Sequence, residues 1–316
     1  MKELVVISGK GGTGKTSIVA SFAVLARNKI LADCDVDAAD LHLLLQPEIQ
    51  HRQTFKSGKQ ASIRQEDCLG CGLCRDACRF EAVKRLASSP ARSCPVFSID
   101  PVSCEGCGVC VEFCPQKAID FLEKTSGEWF ISDTRCGPMV HARLGAAEEN
   151  SGKLVSLVRT QAGKIAGEKG LDLIIIDGSP GIGCPVIASI TGADLVLVVT
   201  EPTVSGEHDF KRVISLAEHF RIPTALCVNK YDLNPSRADL IEKEARERKV
   251  IMAGRIRYDE QVTYAQVKGK AIVECEESLA GKDIRALWQK LEPFIKNVPQ
   301  EKCNFLHGDD YARKNL

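Results

Sequence analysis

Short, fully apolar runs alternate along this chain with longer segments whose apolar residues recur at helical spacing. The runs predict buried strands, because a strand that is covered on both faces has no polar side. They span residues 3–8, 30–33, 171–177, 194–200, 224–229 and 250–256. The helical segments span residues 16–27, 153–167, 206–220, 236–248 and 284–295. The alternation predicts an α/β fold, in which helices cover both faces of a mostly parallel sheet.

This pattern is interrupted between residues 50 and 124, where cysteine, glycine and proline become frequent. Two stretches in this block, CLGCGLCRDAC from Cys68 and CEGCGVCVEFC from Cys104, have the same cysteine spacing and indicate an internal duplication. We therefore expect residues 1–49 and 125–298 to form one domain and residues 50–124 to form a second domain inserted into it. Residues 299–316 read as a polar C-terminal tail with no assigned function.

Composition narrows the classes of function. The 316 residues include 42 Lys and Arg and 42 Asp and Glu, so the net charge of zero provides no field that would attract nucleic acid or an anionic membrane. The N-terminus does not resemble a signal peptide, and no apolar run approaches the roughly 18 residues of a membrane span. We expect a cytoplasmic protein without a stable membrane anchor. Its 15 cysteines are then expected to bind metal rather than to form disulfides.

The first predicted strand leads into a glycine loop, GKGGTGKT, that fits the phosphate-binding motif G-x-x-x-x-G-K-[ST] between a strand and a helix. Such a loop turns backbone N–H groups toward phosphate oxygens, its lysine neutralises the β- and γ-phosphates, and its last hydroxyl binds Mg²⁺. Lys15 and Thr16 have these two roles here. The alternative is a glycine turn with a chance lysine. The expected ATP-binding residues of the loop are Gly11, Gly12, Thr13, Gly14, Lys15, Thr16 and Ser17.

The two cysteine runs have the spacing C-x₂-C-x₂-C-x₃-C, which is typical of bacterial ferredoxins with two [4Fe–4S] clusters. In such proteins each run supplies three thiolates to its own cluster and the fourth to the other cluster. One set is therefore Cys68, Cys71, Cys74 and Cys114, and the other is Cys104, Cys107, Cys110 and Cys78. Zinc is the competing metal. Arg79 stands where the ferredoxin motif has proline, but no thiolate is missing.

The glycine loop contains a second lysine, Lys10, directly after its first glycine. This arrangement resembles the deviant Walker A motif of MinD/ParA-type ATPases, which include the nitrogenase iron protein. In that family the extra lysine reaches the phosphates of the partner subunit in a nucleotide-sandwich dimer. The resemblance implies that Lys10 is catalytic and that the chain forms a homodimer, or a heterodimer with a related ATPase. Otherwise Lys10 is a solvated loop residue.

The resemblance extends to further positions along the chain. Asp35 follows the second strand, where the family has its switch I acid, and would orient or activate the attacking water; Asp40 is a weaker candidate. Asp177 ends an apolar strand, as the Walker B acid does, and would lie near Mg²⁺. Asp35 and Asp177 could each instead cap a helix. Asn229 is expected to contact adenine, whereas residues 257–259 depart from the Pro-Tyr-Asp of relatives and leave the other base contacts open.

The segment that follows the cysteine block resembles the same region of MinD-like ATPases with an inserted ferredoxin domain. Cys136 and His141 in this segment are candidates for contact with a partner's cofactor or with a metal in transit, or they are structural. Position 180 is proline, where nitrogenase-type iron proteins have a cluster cysteine, so we predict no cluster between subunits. Most cysteines outside the two runs should be ordinary buried residues. The seven cysteines outside the runs are Cys34, Cys94, Cys136, Cys184, Cys227, Cys275 and Cys303.

Three functions fit these features. The first is an ATPase switch that assembles or delivers an iron–sulfur or other metal centre together with a partner protein. The second is an ATP-gated donor of low-potential electrons to a partner enzyme. The third is a MinD-like positioning or cell-division ATPase with redox-sensing clusters. A DNA-partitioning function has no basic patch to support it.

Overall fold

The computed structural model describes residues 1–86, 95–145 and 151–296. Within these ranges a nine-stranded sheet has the strand order β11-β10-β9-β1-β8-β2-β7-β6-β3. The strands from β11 to β7 are parallel to one another, and β6 and β3 are added antiparallel at one edge. The sheet strands are β1 (Lys2–Ser8), β2 (Lys29–Asp33), β3 (Glu48–Ile63), β6 (Ile119–Thr134), β7 (Gly137–Leu144), β8 (Leu173–Pro180), β9 (Leu195–Thr200), β10 (Thr224–Asn229) and β11 (Ile251–Ile256).

Helices cover both faces of this sheet. On one face Leu154 and Phe210 belong to a buried apolar layer with the sheet, and on the other face Phe22 and Trp288 belong to a second layer. The predicted α/β fold with a mostly parallel sheet is confirmed. The helices are α1 (Lys15–Leu25), α2 (Leu41–Leu45), α3 (Leu73–Asp76), α4 (Val109–Glu112), α5 (Ser151–Lys169), α6 (Cys184–Ile190), α7 (Val204–His219), α8 (Pro235–Glu247), α9 (Gln261–Val267) and α10 (Leu279–Lys296).

A two-stranded ribbon made of β3 and β6 leads out of the sheet to the cysteine-rich residues. The strands pair from Glu48 with Asp133 to Ile63 with Ile119, so the ribbon runs over the full length of both strands. Beyond it, β4 (Val83–Leu86) pairs with β5 (Val96–Ile99), and a small apolar cluster includes Phe97 and several cysteines. We therefore describe residues 64–118 as the cysteine-rich unit. The predicted boundaries at residues 50 and 124 fall inside the ribbon strands, and the division into domains stays a prediction.

Two further sequence predictions concern membrane-spanning segments and the C-terminal tail. None of the helices in the described ranges is long and apolar enough to cross a membrane. The predicted tail, and with it Cys303, lies outside the described residues, as does Cys94.

Candidate functional sites

The glycine loop joins the end of β1 to the start of α1, so its backbone lies at the carboxyl edge of the parallel strands, where ligands of such sheets gather. Gly14 has φ +88°, and a Cβ there would collide with Asn229 Nδ2. That amide donates a hydrogen bond of 2.7 Å to the carbonyl oxygen of Thr13. Asn229 is therefore a support for the loop, in addition to its expected contact with adenine, which stays a prediction.

Lys15 lies between two carboxylates at the centre of the site. Its Nζ atom is 2.6 Å from Asp177 Oδ1 and 3.1 Å from Asp35 Oδ2. Burial alone would lower the pKa of Lys15, but the charges of Asp177 and Asp35 outweigh this effect and raise it above its ordinary value. Lys15 is therefore a charged ammonium held in position by two acids.

The acids around Lys15 are themselves buried. Burial raises the pKa of Asp35, and the adjacent Lys15 charge partly offsets that rise. Asp177 is fully buried, and its Oδ2 atom has no hydrogen-bond partner in the described part of the chain. A buried carboxylate oxygen without a donor is costly unless a cation or a donor satisfies it. The donor set therefore fits a hard cation such as Mg²⁺, which binds few protein ligands beside phosphate and water.

Two adjoining cavities open at this edge of the sheet. The first has about 1140 Å³ of empty space, part of it open to solvent, and its lining includes Asp35 and Asp40. The second has about 880 Å³ and its lining includes Asn229 and residues 257–259. The first cavity also contains all seven loop residues that the sequence assigned to ATP: Gly11, Gly12, Thr13, Gly14, Lys15, Thr16 and Ser17.

Gln266 of α9 was not among the sequence predictions. It lines both cavities, and its Nε2 atom donates a hydrogen bond of 2.8 Å to Ser17 Oγ. Gly12, Gly14 and Ser17 are likewise shared, so the cavities form one groove that bends around the loop. The two parts suit a phosphate chain and a base. Nothing in the local sequence of α9 distinguishes Gln266 from a surface residue.

Lys10 is not in the lining of either cavity of its own chain. Its Nζ atom lies 3.4 Å from Glu201 Oε2 and 3.3 Å from Ser205 Oγ, and about a third of its side chain is exposed. Glu201 also pairs with Lys230 at 2.6 Å. Lys10 therefore lies at the rim of the site, where its ammonium is accessible.

The cysteine-rich unit contains two smaller cavities, each surrounded by four cysteines. One has about 380 Å³ of empty space and the other about 350 Å³. The first is lined by Cys68, Cys71, Cys74 and Cys114. The second is lined by Cys78, Cys104, Cys107 and Cys110. These groups are the two sets of the sequence analysis; that they bind clusters stays a prediction.

The surroundings of the cysteines are apolar and closely packed. Phe97 and Ile119 line the first cavity, and a Cβ at Gly106, which has φ +62°, would collide with the carbonyl oxygen of Lys59 in β3. Burial raises the pKa of Cys110 to about 11, helped by the neighbouring cysteines. Such thiols become thiolates when a metal supplies positive charge.

The turn between β6 and β7 fixes the end of the ribbon that is nearest the sheet against the nucleotide groove. Arg135 in this turn pairs with both carboxylate oxygens of Glu274, at 2.6 and 2.8 Å, and donates to the carbonyl oxygen of Leu44 at 3.0 Å. Leu44 is in α2 and lines the phosphate cavity. The role of Arg135 is not visible in the sequence, because its partners are distant in the chain.

Cys136 and His141 have contacts of a structural kind. His141 is buried in β7, lies 2.9 Å from Ser132 Oγ through Nε2, and stacks on Phe130 at 4.9 Å. Burial, followed by the nearby His42, lowers the pKa of His141 to about 4. Cys136 is half-buried before β7 and packs against the layer of Phe22 and Trp288.

The other described cysteines differ in exposure. Cys34 and Cys227 are buried, as expected, and Cys275 is half-buried. Cys184 is exposed, contrary to that expectation, because it begins α6 directly after a glycine-rich turn.

The parallel sheet and the loop with its buried lysine define a P-loop nucleotide-binding protein. The chain belongs to the CobQ/CobB/MinD/ParA nucleotide-binding domain family, whose model matches residues 4–272. It is therefore an ATPase of the MinD/ParA type. An uncharacterized protein of Methanocaldococcus jannaschii is 34% identical over 242 residues, which cover 73% of this chain and 79% of that protein.

Solved structures show the same fold. The MinC:MinD cell division protein complex of Aquifex aeolicus matches with a TM-score of 0.55 and 19% identity, over 92% of this chain and 96% of the other. The septum site-determining protein MinD of Pyrococcus horikoshii, complexed with Mg-ADP, has a TM-score of 0.52 and 17% identity, with the same two coverages of 92% and 96%. At such identities the likeness concerns the fold alone.

Proposed function

We propose that this ATPase is a Mg²⁺-dependent dimeric switch that carries two [4Fe–4S] clusters and acts in the assembly or delivery of an iron–sulfur or other metal centre. The observation that carries this proposal is the crossed grouping of eight cysteines around two cavities. Each cavity receives its fourth cysteine from the other run. That exchange is expected when two four-iron clusters bind to a duplicated motif.

The geometry of the cysteines favours clusters over zinc. Zinc needs four ligands that converge on one ion. Each cavity instead combines three cysteines of one run with the fourth cysteine of the other run, which is the ligand pattern of a two-cluster ferredoxin. Bound clusters would supply one-electron chemistry or iron for transfer, and the apolar walls around Phe97 and Ile119 would limit the access of water.

In the nucleotide groove, Lys15 is the group that changes partners. We infer that the β- and γ-phosphates of ATP replace Asp177 and Asp35 as its partners, while Thr16 and Asp177 hold Mg²⁺. Support comes from the short contact between Lys15 and Asp177 and from the unpaired Asp177 Oδ2. The printed title of the P. horikoshii MinD structure, which names Mg-ADP, agrees with this choice of ligand and cation.

Asp35 is the residue that we assign to the attacking water. Its carboxylate lines the phosphate cavity and is directed at Lys15, so it lies beside the expected position of the γ-phosphate. Phosphoryl transfer depends on positioning and charge stabilisation, and a carboxylate there orients the nucleophile. Asp40 lines the same cavity from the start of α2.

The proposal of a dimer rests on Lys10. A lysine that lies at the rim of its own site, partly exposed and paired with Glu201, is available to the phosphates of a facing subunit. The family resemblance gives this residue that role. A homodimer is the simplest assembly, and a heterodimer with a related ATPase would use the same contacts.

The route between the two kinds of site is short. Helix α2 lines the phosphate cavity and ends at Leu45, and β3 begins at Glu48. Arg135 follows directly after β6, the other ribbon strand, and donates a hydrogen bond to the carbonyl oxygen of Leu44 in the same helix. We infer that nucleotide-dependent movement of residues 35–45 is transmitted to the ribbon and from there to the cysteine cavities. Switch segments that γ-phosphate orders and hydrolysis releases provide such movement.

An ATP-gated electron donor is the second candidate. It is favoured by the proximity of the two cysteine sets, since Cys74 of the first set contributes to the electrostatic surroundings of Cys110 in the second set. The partner is then a redox enzyme rather than an acceptor of metal. A positioning ATPase with redox-sensing clusters is less favoured, because similarity in fold to MinD does not imply that the two proteins share a function.

The proposal is tested by anaerobic purification followed by iron and ATPase measurements. We expect about eight irons per chain, from two four-iron clusters. Lys15→Ala should abolish ATP hydrolysis, whereas Lys10→Ala should retain nucleotide binding and lose dimer-dependent turnover. A colourless zinc protein would overturn the cluster assignment. Unchanged turnover in Lys10→Ala would overturn the role of the dimer.

A further inference from the structure

Asp33 is the last residue of β2 and is fully buried. Its carboxylate accepts two backbone hydrogen bonds, from the N–H of Asp35 to Oδ1 at 3.2 Å and from the N–H of Leu41 to Oδ2 at 3.3 Å. The first donor stands near the start of the connection between β2 and α2, and the second is at its end. One buried side chain therefore closes this connection into a loop.

The bond to Leu41 gives α2 an acceptor that it otherwise lacks. The first N–H groups of a helix have no partner within the helix and are normally satisfied by a side chain at the N-cap position. Asp40 occupies that position but makes no capping hydrogen bond with its side chain. Asp33 supplies the acceptor from the neighbouring strand instead. The position of α2 thus depends on the end of β2.

Keeping an acid at this position is expensive. Asp33 pairs in register with Asp177 of β8, and burial, together with the Asp177 charge, raises the pKa of Asp33 well above its ordinary value; the Lys15 charge opposes this. An asparagine would have almost the same volume, but its single oxygen could accept only one of the two bonds. The connection between β2 and α2 therefore needs both carboxylate oxygens of Asp33 as acceptors.

We propose that Asp33 is a positioning residue for ATP hydrolysis, which directs the Asp35 carboxylate and fixes α2 against the phosphate cavity without touching the substrate. The inference rests on the proposed role of Asp35 at the attacking water. In addition, the hydrogen bond from the backbone N–H of Asp35 to Asp33 sets the orientation of the Asp35 carboxylate. The same carboxylate sets the position of Leu43 and Leu44, which line the cavity from α2.

The test compares three variants of the full-length, anaerobically purified protein. For Asp33→Asn we expect kcat to fall on the order of 10²-fold, the size of effect that follows a displaced catalytic group. The KM for ATP and the affinity for a non-hydrolysable analogue should change by less than about threefold, because the loop that binds phosphate is untouched. Asp133→Asn, at an exposed acid outside the nucleotide groove, is the control and should leave kcat unchanged.

The third variant, Asp35→Asn, separates this inference from the proposed function. If Asp35→Asn retains wild-type turnover, the assignment of Asp35 is wrong, and the inference about Asp33 is wrong with it. If Asp35→Asn is inactive while Asp33→Asn hydrolyses ATP like the wild type, only the inference is overturned. A loss of stability with equal effects on kcat and on analogue binding would also overturn it, since that result indicates a structural residue.

A measurement on the unmodified protein covers the case in which Asp33→Asn does not fold. Residue-resolved hydrogen exchange should show the Asp35 and Leu41 amides protected relative to the Asp37 amide, because only the first two are bound by the buried carboxylate. Exchange at Asp35 and Leu41 as fast as at Asp37 would overturn the proposal.

Discussion

The Lys15 ammonium lies 2.6 Å from Asp177 Oδ1, so the phosphate-binding lysine and the acid at the end of β8 are already partners. Asp177 is fully buried, and Lys15 is nearly so. In the proposed exchange of partners, ATP takes the lysine from this carboxylate and leaves a buried negative charge, which a bound cation would compensate. Removing one partner of a buried ion pair costs about 3–5 kcal/mol. Phosphate and cation should therefore bind together.

This relationship predicts how nucleotide binding depends on Mg²⁺. In the wild type, chelating Mg²⁺ should weaken ATP binding strongly. In Asp177→Asn the neutral amide needs no compensating cation, so binding should depend much less on Mg²⁺ while hydrolysis is lost. Titration calorimetry with and without a chelator measures both effects. Equal Mg²⁺ dependence in the two proteins would contradict the proposed exchange of partners.

Gly14→Ala should weaken nucleotide binding, because its Cβ would collide with the Asn229 amide that supports the loop. Backbone strain at positive φ adds a cost of about 1 kcal/mol or more. Gly192→Ala is the matched control, since Gly192 has a similar φ of +80° and no heavy atom within 4 Å of the added Cβ. It should lose stability but bind the non-hydrolysable ATP analogue normally. The two variants binding alike would show that the collision is unimportant.

His141 predicts a pH dependence of stability. Its pKa is lowered from 6.5 to about 4 in the folded chain. The unfolded chain therefore binds the extra proton first, and the free energy of unfolding should decrease as the pH falls from about 6.5 toward 4. Stability from this residue is fully present above pH 6.5. The full effect is on the order of 3 kcal/mol.

Denaturant unfolding of the wild type and His141→Gln at several pH values between 5 and 7.5 checks this effect. The variant should show a smaller decrease in unfolding free energy toward low pH. His208→Gln, which changes an exposed histidine, should retain the wild-type slope. Parallel curves for wild type and His141→Gln would contradict the prediction.

The crossed cysteine sets predict which cluster each substitution removes. Cys114→Ser should disturb the cluster of Cys68, Cys71 and Cys74, although it lies in the other run. Electron paramagnetic resonance of the reduced protein, together with iron analysis, distinguishes the loss of one cluster from the other. Cys184→Ser, at an exposed cysteine outside both cavities, should leave iron content unchanged. Loss of the Cys104 cluster alone in Cys114→Ser would show that the sets are not crossed.

The bonds of Arg135 predict that ATP hydrolysis can be separated from its effect on the cysteine cavities. Arg135→Ala removes the bonds to Glu274 and Leu44 but no residue of the groove itself. Basal ATPase activity and iron content should persist, whereas any ATP-dependent change in the cluster spectrum should diminish. Arg143→Ala, at an exposed arginine paired with Glu128 on the ribbon, is the control. A full ATP-dependent change in Arg135→Ala would exclude this route.

Local pattern was sufficient to predict much of the fold. The first half of β8 (residues 173–176) and most of β10 are apolar runs, and the glycine loop lies between a strand and a helix. The ribbon strands β3 and β6 were missed because β3 is mostly exposed at the sheet edge and has no apolar period. Its pairing with β6 connects residues far apart in the chain, and only the fold brings them together.

The same division holds for the sites. Lys15 and the cysteine sets follow from spacing, since their motifs are local. Arg135 and Gln266 were missed because each acts on a partner in another segment, as Gln266 acts on Ser17. Asp33 was passed over because a second acid, Asp35, stands two residues further on and fits the family position.

The central claim is that ATP controls what the cysteine-rich unit delivers. Its most direct test is transfer of iron from ⁵⁵Fe-labelled protein to an apo-ferredoxin acceptor, with ATP and Mg²⁺, with a non-hydrolysable analogue, and without nucleotide. We predict faster transfer with ATP in the wild type, and no acceleration in Lys15→Ala although its iron content is unchanged. Transfer that is equally fast under all three conditions would contradict the account.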